Sequence, residues 1–261
     1  MKEEERFMVD VGMRGFAFPI RALSRKDPSG QHTVASISVS ARVMHEFEAG
    51  WIDRFIQVIH KHRDNIGTSS LRGNIKDYLS ALNASTVRID FHYPFFIEKI
   101  TPVSKEKCLV RYQTSYSAHV ATSAKITFKM KVPCITTYPD SDKSGRGGLM
   151  SQLSFIVLEV ESSRDVYPEE LVELVDSCAL SPVYSFLTDA DQRAVIEKVH
   201  SERKTSVVVV DEIRKHLAAD PTLEYYSVNS NNFGMLHSYS TVVGTEKSIW
   251  VPFSGYSEED Y

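Results

Sequence analysis

The side chains able to do chemistry are spread thinly along this chain of 261 residues. The three cysteines, Cys108, Cys134 and Cys178, are odd in number and widely spaced, so no disulfide framework or CxxC metal knuckle is visible. Cys108 and Cys134 fall in alternating patterns, where a thiol serves as core rather than nucleophile. His60 and His62 are two apart on a helical stretch, which points their rings away from each other and excludes a metal clip. Asp140 and Asp142 offer two carboxylates without a visible third ligand. The run Lys143-Ser144-Gly145-Arg146-Gly147-Gly148 is basic and glycine-rich, and such a turn can cradle an anion through backbone N–H groups. It lacks the G-x-x-x-x-G-K order of a nucleotide phosphate loop. His237 carries an imidazole, which titrates near neutral pH and can work as a general acid or base.

Composition bounds what these groups can serve. Thirty Lys+Arg against 34 Asp+Glu give a net charge of −4, the wrong balance for a dedicated nucleic-acid binder. A small anionic ligand in a local basic pocket remains compatible with it. Thirteen Phe, 12 Tyr and 2 Trp exclude a disordered chain. No run approaches the ~18 apolar residues of a membrane helix. The charged start Met1-Lys2-Glu3-Glu4-Glu5-Arg6 lacks the apolar stretch of a secretory signal, so the expected location is cytoplasmic, with no membrane partner. Ser257-Glu258-Glu259-Asp260-Tyr261 reads as a short acidic tail.

The elements that must position any site follow from periodicity. Residues 7–20 predict a strand interrupted at Gly12 and Gly15 and closed by Pro19. Thr33 to Arg42 alternates, with Ala35, Ile37, Val39 and Ala41 on one face and Ser36, Ser38 and Ser40 on the other. Helical stripes follow over 51–63 (Trp51, Ile52, Phe55, Val58, Ile59) and 69–82 (Leu71, Ile75, Tyr78, Leu79, Leu82). A strand is expected over 86–96 and a hairpin over 107–117 and 122–134. The second half runs strand (152–161), helices (about 168–179, 189–200 and 206–218), then strands (223–229 and 235–243). Pro168 followed by Glu169 and Glu170 marks a helix start. The order predicts an α+β fold with mostly antiparallel sheet.

Several stretches together are specific: Gln31-His32-Thr33-Val34, His92-Tyr93-Pro94-Phe95-Phe96-Ile97-Glu98-Lys99, Pro102-Val103-Ser104-Lys105, Val132-Pro133, Ser181-Pro182-Val183-Tyr184 and Asn232-Phe233. In order and spacing, from about residue 8 to 243, the chain resembles the prokaryotic type IB GTP cyclohydrolases of the tunnelling-fold (T-fold) superfamily. The resemblance implies a tandem T-fold of two ββααββ-like halves, antiparallel sheet with helices on one face, closed into a multi-subunit barrel. The halves would be 1–135 and 136–250, followed by the tail 251–261, and the sites would lie between subunits. Family members hydrolyse the imidazole ring of GTP with a bound divalent metal. Their groups come from a CPC turn, a histidine after Gly-Ala, two carboxylates on late helices and an NFESIHNH strand. At those positions this chain has Tyr138-Pro139-Asp140, Met150, Gln192, Val207 or Val210, Gly234 and Tyr239, and an earlier family histidine is Trp51. His237 is retained, and Glu98 stands in the best-matched stretch.

A hydrolytic metal site needs about three hard or borderline ligands and an open position for water. Thioether, amide and valine do not supply them. The expectation is therefore a diverged member with no metal and no cofactor. It would be an enzyme acting on an aromatic or heterocyclic small molecule by proton transfer, cyclisation or condensation. His237 and Glu98 are the expected catalytic residues. Trp51, Tyr138, Asp140, Met150, Gln192 and Tyr239 would bind a planar ligand in an inter-subunit pocket of a homotetramer. The alternatives are a non-catalytic scaffold or ligand-binding protein, and a GTP cyclohydrolase of folate biosynthesis with relocated metal ligands.

Overall fold

The computed structural model describes residues 8–44, 50–64, 66–139 and 149–247. Asp140, the basic glycine-rich turn at 143–148 and the acidic tail at 251–261 therefore lie outside the described residues.

Alternation builds the sheet. In β2 (Gln31–Met44) Ala35, Ile37, Val39, Ala41 and Val43 are all buried, while Ser36 and Ser40 between them are exposed. β3 (Ala84–Ile100) pairs with β2 in antiparallel register and buries Val87, Ile89, Phe91, Tyr93, Phe95 and Ile97. It runs on past the expected end at 96, and the same period turns Glu98 outward and Lys99 inward. β1 (Met8–Ala22) pairs with β2 and ends the sheet. Gly15, at φ +68°, accommodates an irregularity in register between Met13 and Phe16. Pro19 does not close this strand, as the sequence suggested, but sits within it opposite Val34. An edge strand tolerates that, because the N–H groups on its open side have no ladder partner to lose.

The described residues form one nine-stranded antiparallel sheet and five helices. After β3 come β4 (Lys107–Val120), β5 (Ala124–Thr137), β6 (Ser151–Ser162), the two-residue β7 (Ser181–Pro182), β8 (Leu223–Phe233) and β9 (Thr241–Glu246). The order is β1-β2-β3-β4-β5-β6-β8-β9, with β7 paired to β5. Helices α1 (Trp51–His62) and α2 (Thr68–Leu82) follow β2; α3 (Pro168–Cys178), α4 (Asp189–Ser201) and α5 (Ser206–Ala219) precede β8. α1 buries Trp51, Phe55 and Ile59 of its expected stripe and α2 buries Leu71, Ile75, Tyr78 and Leu82, whereas Ile52 is exposed and Val58 and Leu79 are half-buried. Asn83 ends α2 in the left-handed conformation, φ 48°, and its N–H caps the carbonyls of Leu79 and Ser80.

One expected strand starts late. Residues 234–240, forecast as the start of a strand over 235–243, form a loop, and β9 begins only at Thr241. The loop carries no alternation that could be buried: Met235, Leu236 and Tyr239 are all exposed. Its two ends are tied instead by the Asn232 amide, which donates to the Thr241 carbonyl at 3.1 Å.

The chain divides into two compact units. The first comprises Met1–Phe95, Thr114–Phe128 and Glu161–Pro168; the second comprises Phe96–Gln113, Lys129–Val160 and Glu169–Tyr261. The first has an aromatic core in which Tyr116 and Phe128 stack at 4.5 Å, beside a Phe55–Tyr78 contact at 6.2 Å. The second holds a buried ion pair, Lys99 Nζ to Asp176 Oδ2 at 2.7 Å, with the ammonium 5.6 Å from the Tyr112 ring and 6.0 Å from that of Tyr184. Burial pushes the Asp176 carboxyl up and the Lys99 ammonium opposes it. All three cysteines are in this unit, free and buried.

Candidate functional site

Of the residues singled out around the family site, Tyr138, Met150, Gly234, His237 and Tyr239 gather in the second unit near the ends of β5 and β8. Backbone contacts fix their frame. Thr137 donates its N–H to the Lys204 carbonyl at 2.8 Å, and its hydroxyl accepts the Lys204 N–H at 2.7 Å. Tyr138, one residue on, donates its N–H to the Met150 carbonyl at 2.8 Å. The ring of Tyr138 then lies across Gly234: a Cβ built on Gly234 would sit 2.8 Å from Tyr138 Cε2. On the loop beyond, the imidazole of His237 stacks on Tyr239 at 4.8 Å with planes 11° apart, and Tyr138 approaches it at 6.3 Å. Three rings thus come together at positions where the resemblance implies a cysteine and two histidines.

Beneath them runs a chain of buried hydrogen bonds. The Gln152 amide donates to Thr136 Oγ1 at 3.1 Å, Thr136 Oγ1 meets Ser154 Oγ at 2.8 Å, and Ser154 Oγ donates to Asn232 Oδ1 at 2.7 Å. Ser230 Oγ donates to the same Asn232 oxygen at 2.8 Å. Because Ser154 gives its proton to Asn232, Thr136 must donate to Ser154, so the donors run from Gln152 to Asn232, which Ser230 meets from the other end. None of Gln152, Thr136, Ser154 or Ser230 was a sequence candidate. A signal was present: in β6 polar Gln152 and Ser154 face inward while Leu153 and Phe155 face outward or partly so, which inverts the usual alternation.

Met150 lines an adjoining cleft of about 290 Å³ with Ile135, Val195, Ile196, His200 and Met235. It is an apolar cleft edged by a single imidazole. The other candidates are dispersed. Gln192 is exposed on α4, its amide 3.4 Å from the Leu187 carbonyl, and does not line this cleft. Its neighbour Asp191, also missed, is fully buried and accepts from the N–H groups of Val103, Ser104 and Thr188 and the hydroxyls of Ser104 and Thr188, at 2.6 to 3.0 Å. Burial alone would push this carboxyl up; the hydrogen bonds from Thr188, Ser104 and Val103 outweigh it and hold the group well below the usual carboxylate range. Asp191 thereby locks the Pro102–Lys105 turn, where Lys105 adopts φ 60°, to the start of α4. Glu98 lies on the exposed side of β3 and pairs with Lys107 at 3.1 Å. Trp51 is buried at the start of α1 in the first unit. Val207 is exposed and Val210 buried on α5.

The divalent metal implied by the family resemblance finds no matching ligand set in these residues. Tyr138 and Gly234 are in contact, Met150 offers a thioether, and Gln192 points elsewhere. Among the described residues no three His, Cys, Asp or Glu side chains come together.

Comparison with known proteins places this arrangement. At 10% identity the chain superposes on a uricase from Bacillus fastidious with a TM-score of 0.55, over 91% of this chain and 92% of that one. A hyperthermostable variant of Bacillus sp. TB-90 urate oxidase matches with a TM-score of 0.53 at 8% identity, over 97% of both chains. These likenesses define a fold class alone, an α+β chain built on an antiparallel sheet. Sequence comparison is narrower: the family profile described as type I GTP cyclohydrolase FolE2 matches residues 2–243. Proteins named GTP cyclohydrolase FolE2 from Geotalea uraniireducens and Geobacter sulfurreducens are each 30% identical over 237 residues, covering 91% of this chain and 87% and 92% of theirs. The chain belongs to the type I GTP cyclohydrolase FolE2 family.

Proposed function

We propose that the chain acts on GTP or a closely related purine nucleotide, at a site in the second unit around His237. Family membership carries this reading, since relatives aligned over nine-tenths of the chain are named for that activity. Hydrolysis would then draw any metal ligands from side chains of other types than the family set. Asp140 and Asp142, next to Tyr138 in sequence, are the acidic candidates. His237 would hold or move the proton, its ring set by the stack on Tyr239. Within this proposal the chain assembles in the cytoplasm as a closed homotetramer, pairing the open sheet edges at β1 and β9 and completing the pocket between subunits.

The contact of Tyr138 with Gly234 favours a second reading, a metal-independent enzyme in which the three rings take the face of a planar heterocycle. There His237 would move a proton and Glu98 orient it, in a proton-transfer, cyclisation or condensation step. One experiment separates the two. GTP is incubated with the protein alone and with added Mg²⁺, Mn²⁺ or Zn²⁺, and the purine absorbance and product fluorescence are followed. Consumption that depends on added metal supports the first reading. No consumption, with thermal stabilisation by heterocycles that His237→Ala abolishes, supports the second. Neither turnover nor stabilisation overturns both.

A further inference from the structure

A separate cleft of about 400 Å³ lies wholly within the first unit, lined by Pro19 and Val34 and by Arg21, His32, Arg63 and Asp64. Arg21 and His32 are cross-strand partners in the β1–β2 register, as are Pro19 and Val34. Backbone bonds fix the remaining wall: the Arg21 N–H donates to the Arg63 carbonyl at 3.0 Å, and the Ile66 N–H donates to the Arg21 carbonyl at 2.8 Å. Two arginines and a histidine thus border the cleft against one carboxylate residue. That carboxylate, Asp64, sits on Arg21 Nε at 2.8 Å with both side chains substantially exposed (49% and 38%). Arg63 has no ion-pair partner among the described residues. The apolar part of the wall is open too, Val34 being 57% exposed.

We infer that this cleft binds a small phosphorylated organic ligand, its phosphate on Arg21 and Arg63 and its organic part against Pro19 and Val34. A planar guanidinium matches phosphate oxygens in a two-pronged geometry, and two of them on one anion outcompete a single carboxylate. Asp64 is the placeholder: an exposed ion pair contributes so little to stability that a dianion can displace it from Arg21. The Gln31-His32-Thr33-Val34 stretch, which the His237 site leaves without a task, supplies one wall. The inference does not rest on the purine reading of that site.

Calorimetric titration of the full chain with phenyl phosphate, and with inorganic phosphate as the fragment lacking the organic part, tests it. Phenyl phosphate is expected to bind the more tightly. Arg63→Gln is expected to weaken both by about tenfold or more, and Asp64→Asn to tighten both by about threefold. Arg42→Gln, which removes an arginine paired with Asp10 on the same two strands, is expected to change neither. His237→Ala is expected to bind both normally, so this result is read independently of the GTP assay. The inference is overturned if the wild type binds neither compound or prefers inorganic phosphate. It is equally overturned if Arg42→Gln weakens binding as much as Arg63→Gln, if Asp64→Asn weakens it, or if His237→Ala abolishes it.

Discussion

The two units fill their interiors by opposite rules. In β2 of the first, the buried face is Ala35, Ile37, Val39 and Ala41 and the serines face out. In β6 and β8 of the second, Gln152, Ser154, Ser230 and Asn232 are buried, while Leu153 and Phe233 are exposed. The first unit is held by apolar area removed from water, a non-directional force that tolerates small shifts. The second depends, under its ring cluster, on hydrogen bonds that must all be made, because a buried donor or acceptor left unpaired loses its hydration without compensation. A polar floor of that kind fixes the rings above it in place and leaves apolar side chains outside, available to whatever binds there.

Substitutions can break this contrast, and the largest loss is expected in the polar unit. Asp191→Asn puts an amide NH2 against the donors of Ser104 and Thr188, releasing both a helix start and a turn. Its urea midpoint should fall further than that of any variant below. The pH dependence has a definite sign. The folded carboxyl is held below its unfolded range, so its stabilisation is complete above about pH 4 and declines as pH falls toward the folded value. The variant should lack that part of the acid-side slope.

Next comes Ile37→Ala in the apolar unit, at a fully buried position, with an expected cost of about 2–5 kcal/mol in denaturant unfolding. Asn232→Leu is close to isosteric but strands the hydroxyls of Ser154 and Ser230 and the Thr241 carbonyl; about 1–3 kcal/mol is expected by the same measurement. Gly234→Ala should cost about 1 kcal/mol through overlap with Tyr138, and almost nothing in a Tyr138→Ala background, a coupling that a double-mutant cycle reads directly. The smallest effect belongs to Glu98→Gln. Its pair with Lys107 is exposed, so stability should change by less than about 1 kcal/mol, and any loss of turnover larger than that change would give Glu98 a role beyond the pair.

Where period and burial agree, the fold was legible. The alternation of β2 and the stripes of α1 and α2 need only the rule that apolar groups go inside; β2 buries every residue that rule names, and the helices bury most of theirs, with Ile52 left exposed and Val58 and Leu79 half-buried at the stripe edges. The rule fails where polar groups are buried in pairs, since the sequence does not reveal a partner 78 positions away, as Asn232 is from Ser154. The same holds for Lys99 and Asp176, 77 apart, which read as two ordinary surface charges. The loop at 234–240 reads as the start of a strand because Met235 and Leu236 look like core, yet both are exposed. Of the ring cluster, Tyr138, His237 and Tyr239 were all legible through the family resemblance, whereas the contact of Tyr138 with Gly234 appears only in the fold. Gln192 was picked out beside Asp191, yet it is Asp191 that the structure engages, by a helix cap whose Thr188 was available to be read.

The confinement of every thiol to one unit gives the molecule a built-in chronometer. Cys108, Cys134 and Cys178 are all buried in the second unit, and burial pushes the Cys134 thiol up to about 12. A thiolate is the species that alkylating reagents capture, so the folded chain is expected to resist them. Labelling then advances only when that unit opens, and the first unit contributes no background. Native-state alkylation, followed by mass, would therefore time the breathing of the polar unit alone, with no engineered probe.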